Sequence, residues 1–167
     1  FADKAREVIA KGYTALKFDP FGDAHMQLSR KETREVKALV AAVRDAVGDD
    51  VDILIEAHDR FDTFAAIEIG NWLKDYDVTW FETPVYSSDV GALVEVARRT
   101  PVRVIAGERM QHLHEFGDFL KHKSTDVINP EPLKVGGIWK SLQIAGLAQA
   151  NHAEIALHNA ESPYKTM

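Results

Sequence analysis

Three glutamates, Glu56, Glu82 and Glu108, each close a short apolar run, and they recur at nearly equal intervals along the chain. Three carboxylates brought together repel one another unless protons or a cation lie between them. Hard oxygen donors suit Mg²⁺, with Mn²⁺ as the alternative, better than zinc, and the chain has no cysteine to supply a thiolate. Other residues able to do chemistry fall in the same phase, after successive apolar runs: Lys17 and Asp19, His58, Glu131 and His158. The plainer reading makes each glutamate a solvated strand end, or the partner of Arg60, Arg103 or Arg109. For one glutamate alone that reading is the better one. For three with matching spacing and context, a shared cation is favoured.

These side chains need a frame that brings them to one place. Six apolar runs punctuate the sequence: TALKF, VDILIEA, VTWFE, VRVIAGE, DVINP and EIALH. Each is too short for a typical helix and rich in branched or aromatic residues, so each reads as a buried strand. Helical patterns fill the gaps over Ser29–Val47, Phe64–Tyr76, Asp89–Arg99, His112–Lys121 and Ile138–Asn151. Such alternation predicts βαβ units and a parallel sheet. A doubly wound sheet shares the alternation. It usually carries a glycine-rich turn after its first strand, however, and does not place carboxylates on three successive strand ends. The α/β class therefore narrows to a (β/α)₈ TIM-type barrel, whose chemistry gathers at the C-terminal ends of its strands.

A whole barrel takes about 250 residues. Residues 1–167 accordingly read as one partial barrel domain, with a strand expected before Phe1 and another after Met167. The opening FADKAREVIAKGY looks like a helix already under way, and both ends read as cut. No apolar run approaches the roughly 18–20 residues of a membrane span. The net charge of −6 and scattered basic residues argue against nucleic acid. Absence of cysteine and of a signal-peptide pattern fits a cytoplasmic protein.

Taken in order, these motifs resemble the enolase superfamily, specifically its mandelate racemase-like group of acid-sugar dehydratases. The resemblance is carried by ALKFDP around Lys17, EAH at Glu56, FETP at Glu82, AGER at Glu108, NPE at Glu131 with KVGGI after it, and ALHN at His158. It implies Mg²⁺ on Glu56, Glu82 and Glu108, with glutamate at the first position where the family commonly has aspartate. It makes His158 the general base, oriented by Glu131, because a carboxylate on one imidazole nitrogen fixes the tautomer and raises basicity at the other. Strand alternation would put Glu56 and His58 on the same face, and the resemblance makes His58 the acid that protonates a departing hydroxyl. Lys17 and Asp19 stand where the racemases carry a Lys-x-Lys pair. Lys17 is expected on the substrate carboxylate, Asp19 on a hydroxyl or paired with Lys17, and Arg109 on the substrate.

The activity so implied is Mg²⁺-dependent dehydration of an aldonate or aldarate to a 2-keto-3-deoxy acid, by a homo-oligomer. A racemase or epimerase of a hydroxy acid is the alternative, disfavoured by Asp19 in place of a lysine. A non-catalytic barrel piece or binding module is the other, since the family's N-terminal capping domain has no counterpart in the sequence.

Overall fold

Ser29 starts the longest helix with a reciprocal cap: its Oγ accepts from Glu32 N at 3.2 Å, and Glu32 Oε2 accepts from Ser29 N at 2.7 Å. The helix, α2 (Arg30–Val47), buries Val36, Val40 and Val43, one stripe at helical spacing. Gly48 ends it. The same grammar recurs along the computed structural model, which describes residues 1–122, 125 and 127–159. The strands are β1 (Ala15–Phe18), β2 (Asp52–Glu56), β3 (Val78–Glu82), β4 (Arg103–Ile105), β5 (Val127–Ile128) and β6 (Glu154–Ile155). The remaining helices are α1 (Ala2–Ile9), α3 (Thr63–Leu73, continued as a 3₁₀ turn over Lys74–Tyr76), α4 (Val90–Arg99), α5 (Leu113–Lys121), α6 (Pro132–Val135) and α7 (Ile138–Ala150). All six expected strands and all five expected helices are present, within one to three residues of the anticipated bounds. Position 126, inside the fifth expected strand, and the closing segment 160–167 lie outside the described residues.

Strand order separates the two architectures that the sequence allows. β1 to β4 pair in chain order, every pair parallel, and β5 pairs parallel with β6. A parallel bridge between Ala106 and Ile128 joins the two sheets. With right-handed crossovers and no reversal of order, every helix falls on the same side of the sheet. Neighbouring helices do meet there, α1 on α2, α3 on α4, α4 on α5 and α5 on α7. The result is part of a (β/α)₈ barrel. A doubly wound sheet would reverse direction at a switch point.

The core lies between sheet and helices. Ile53, Ile55, Phe81, Val104 and Ile128 come from the strands, and they cluster with Val40, Leu73, Leu93, Phe116 and Ile144 from the helices. Each such side chain stabilises the fold by about 1.5–3 kcal/mol relative to exposure. Gly107 permits the closest approach between strand ends. A Cβ there would lie 3.0 Å from Asn129 N and 3.1 Å from Phe116 Cε1, and its φ of +148° disfavours any other residue. This glycine lets the end of β4 press against β5.

Candidate active site

The parallel ladder fixes the first pair of carboxylates. Glu56 and Glu82 are register partners at the last positions of β2 and β3, so their Cα atoms stand about 4.8 Å apart. Both are buried. Lys17 reaches across from β1, its Nζ 2.7 Å from Glu82 Oε1 and 3.3 Å from Glu56 Oε2. One ammonium does not offset two buried carboxylates. Burial first, then the hydrogen bond with Glu82 and its repulsion, push the Glu56 carboxyl up to about 9. Without a cation, the site therefore favours the protonated form of Glu56.

Glu108 meets a different partner. His158, beyond β6, places Nε2 2.8 Å from Glu108 Oε2 and Nδ1 2.8 Å from Glu131 Oε2. The hydrogen bond from His158 takes Glu108 down to about 2, and the same bond, with that to Glu131, raises His158. The imidazole is thus clamped between two carboxylates that favour its protonated form. Glu131 also caps α6, its Oε1 accepting from Leu133 N at 3.2 Å, which holds the side chain in place for His158.

Glu82, Glu108 and His158 offer ligand atoms that all lie within 4.8 Å of one another. Asn129, buried after β5, donates from Nδ2 to Glu82 Oε1 at 2.5 Å, and its Oδ1 has no hydrogen-bond partner among the described residues. Two buried carboxylates, an imidazole and an orphaned amide oxygen fit a divalent cation, which would supply positive charge where Lys17 alone now faces Glu56 and Glu82. The compact group differs from the expected set of Glu56, Glu82 and Glu108: Glu56 stands beside it, hydrogen-bonded to Glu82, while His158 lies inside it.

His58 and Asp19 sit on the β1–β2 side of this group. β2 ends at Glu56, and the backbone turns left-handed at His58 (φ +52°) and Asp59 (φ +59°), so strand alternation does not extend to His58. Its amide instead donates to Glu56 Oε1 at 2.9 Å. Thr83, just past β3, is also left-handed at +44°. Such conformations cost on the order of 1–3 kcal/mol each, and their clustering at the strand ends is typical of sites where geometry serves chemistry. Asp19 makes no pair with Lys17. Its Oδ2 accepts from His58 Nδ1 at 2.8 Å and from Arg60 at 2.7 Å, and its Oδ1 from Phe21 N at 2.9 Å.

The arginines divide. Arg60 serves Asp19. Arg109 pairs through Nε with Asp59 at 2.5 Å, lies 3.3 Å from Glu108 Oε1, and lines a cleft of about 140 Å³ with Asp59, Tyr86, Ser87 and Met110. His25, His112, His114, His122 and His152 are all exposed. Asn129 and Asp59 received no role from the sequence. Asn129 lies next to the Pro130-Glu131 pair within a motif already noted, and that adjacency was the available signal.

A barrel rim carrying paired carboxylates and a carboxylate–imidazole pair defines the metal-assisted α/β-barrel class. All 167 residues match the family described as Enolase C-terminal domain-like, and the chain belongs to the enolase superfamily, in its mandelate racemase/muconate lactonizing enzyme-like group. Over 163 residues it is 43% identical to the D-gluconate dehydratase of Thermoproteus tenax, covering 98% of this chain and 33% of that protein. The D-gluconate/D-galactonate dehydratase of Picrophilus torridus is 30% identical, with 99% of this chain and 42% of that protein covered. A mandelate racemase/muconate lactonizing enzyme structure from Jannaschia sp. CCS1 superposes with a TM-score of 0.91 at 33% identity, covering 99% of this chain and 44% of that one. The chain thus spans well under half the length of these relatives. Among the described residues no helix is long and apolar enough to cross a membrane.

Proposed function

We propose that the protein carrying this chain dehydrates a sugar acid of the aldonate or aldarate class, with residues 1–167 forming part of its catalytic barrel. The observation that carries this reading is His158 held at Nδ1 by Glu131 within a buried group of carboxylates. The dehydratases named above, acting on gluconate and galactonate, support the substrate class.

Glu82 and Glu108, with Glu56 alongside, would hold a Mg²⁺ or Mn²⁺ ion, which supplies Lewis-acid stabilisation of charge developing on the substrate carboxylate. With Glu108 engaged by a cation, the bond that favours a proton on His158 Nε2 is lost; once that proton has left to solvent, the neutral ring, still held at Nδ1–H by Glu131, can take the proton from C2 at Nε2. Lys17, released from Glu56 and Glu82, is placed to meet the substrate carboxylate, and Arg109 faces the adjoining cleft. Proton loss at C2 is followed by cleavage of the C3–oxygen bond. His58 gives the leaving hydroxyl a proton, water departs, and the enol product tautomerises to the 2-keto-3-deoxy acid. A two-base racemase is less well supported, because Asp19 supplies no second base: both of its oxygens are engaged. A cytoplasmic, homo-oligomeric protein completes the proposal, in keeping with the absence of cysteine.

The test is a set of acid sugars incubated with full-length protein and Mg²⁺ and assayed for 2-keto acid. Formation of a 2-keto-3-deoxy acid is expected. His58→Asn should lower dehydration by about 10²–10⁴-fold while exchange of the C2 proton in D₂O survives. Inverted substrate with no keto product would overturn the reading in favour of an epimerase.

A further inference from the structure

The rim carries a second carboxylate–imidazole pair, built like the first. In the first, Glu131 follows β5 and grips Nδ1 of His158, which follows β6, at 2.8 Å. In the second, Asp19 follows β1 and grips Nδ1 of His58, which follows β2, also at 2.8 Å. Each joins the ends of neighbouring parallel strands. The surroundings of Asp19 show that it is fixed before any substrate arrives. Phe21 N holds Oδ1, Arg60 Nη2 holds Oδ2, and Arg60 Nη1 reaches Gly22 O at 2.5 Å, tying the loop after β1 to the turn after β2. From the other side, Asp59 accepts from the Ser87 amide at 2.9 Å and donates its own amide to Thr83 O at 2.9 Å, which secures the left-handed turn bearing His58.

We propose that Asp19 is the positioning residue for His58: its Oδ2 accepts from Nδ1–H and so fixes the ring orientation that presents Nε2 to the cleft. No protein group among the described residues engages that Nε2. Arg60 keeps the carboxylate from rotating away, so the imidazole binds a preset acceptor. Both Asp19 oxygens already accept hydrogen bonds from the protein. The inference rests on the proposed dehydration, in which His58 Nε2 protonates the departing hydroxyl. It assigns to the residue in the former lysine position a task on the leaving-group side of the reaction.

The experiment compares wild type, Asp19→Asn, Asp19→Glu, His58→Asn and the Asp19→Asn/His58→Asn double variant of the full-length protein, with Mg²⁺ and D-gluconate. Asp19→Asn is expected to lower kcat for 2-keto acid formation by about 10–100-fold, as loss of an orienting partner does elsewhere. KM and C2 exchange in D₂O should stay within about threefold, and Asp19→Glu should recover part of the rate. In the His58→Asn background the Asp19 substitution should have almost no further effect, since it acts through that ring. A second readout does not depend on turnover. The ¹⁵N shifts of His58 in labelled protein should report a protonated, hydrogen-bonded Nδ1 in the wild type and a changed Nδ1 signal in Asp19→Asn. The inference is overturned if Asp19→Asn leaves the ¹⁵N pattern unchanged, dehydrates like wild type, loses exchange and dehydration equally, or adds its full effect to that of His58→Asn. If D-gluconate and other acid sugars yield no product while the ring shifts change as expected, the dehydratase reading fails and the positioning contact stands.

Discussion

Two halves of one rim solve the same problem in opposite ways. On the β1–β3 side, Glu56 and Glu82 share a single ammonium, and Glu56 retains a proton up to about 9. On the β4–β6 side, Glu108 is ionised down to about 2 because His158 hydrogen-bonds to it. Neighbouring carboxylates in one polar pocket are thus pushed to opposite ends of the scale by their partners. Divergence of this kind marks acid and base assignments in many active sites. The difference teaches that Glu108 is already ionised to receive a cation, whereas Glu56 in the metal-free site must lose a proton before it can serve one.

The largest expected effect lies on the ionised side. His158→Asn should remove C2 exchange and dehydration together, by about 10²–10⁴-fold, where His58→Asn spares exchange. Exchange surviving in His158→Asn would break the assignment of the base to the β4–β6 half. Glu131→Gln should cost less, about 10–100-fold, because His158 keeps its ring but loses the carboxylate that fixes it. Exchange and dehydration should fall in parallel in this variant, and circular dichroism should remain unchanged. A loss confined to dehydration would place the Glu131–His158 pair on the leaving-group side.

Much of this arrangement was legible in the sequence because strand ends announce themselves chemically. Glu56, Glu82, Glu108, Glu131 and His158 stand out as polar residues at the close of apolar runs, and the parallel pairing from β1 through β6 brings them to one edge. The short helix α6 went unforeseen, though Glu131-Pro132 is a good cap and first-turn pair. Two features were beyond residue spacing. No glycine marks the left-handed turn at His58 and Asp59, so alternation along β2 seemed to continue past Glu56. The contact of Asn129 with Glu82 spans from β5 to β3 over the intervening β4, and such a distance in sequence follows from barrel curvature rather than local pattern. Partners were harder still: Lys17 and Asp19, two residues apart, serve different neighbours because their strand has ended between them.

The smallest effect concerns stability, and it isolates the protonated half. With the cation removed by chelation, Glu56 keeps in the folded state a proton that it releases in the unfolded chain above its ordinary value of 4.5. Its folded value is raised, so its favourable contribution is complete below about 4.5 and drains away as pH rises toward about 9. Between those limits metal-free protein should lose stability steadily as pH rises. Glu108 works in the other direction: its depressed value adds stability above 4.5 that is lost only as pH falls through about 2. A Glu56→Gln variant should therefore flatten the decline between pH 6 and 8 without altering acid unfolding, and in chelator at pH 8 it should melt above wild type. With Mg²⁺ present the order should reverse, because glutamine keeps the shape but surrenders the charge that would draw the ion to the β1–β3 side. Equal slopes for variant and wild type in chelator would mean that Glu56 is ionised after all, and the contrast between the two halves of the rim would disappear.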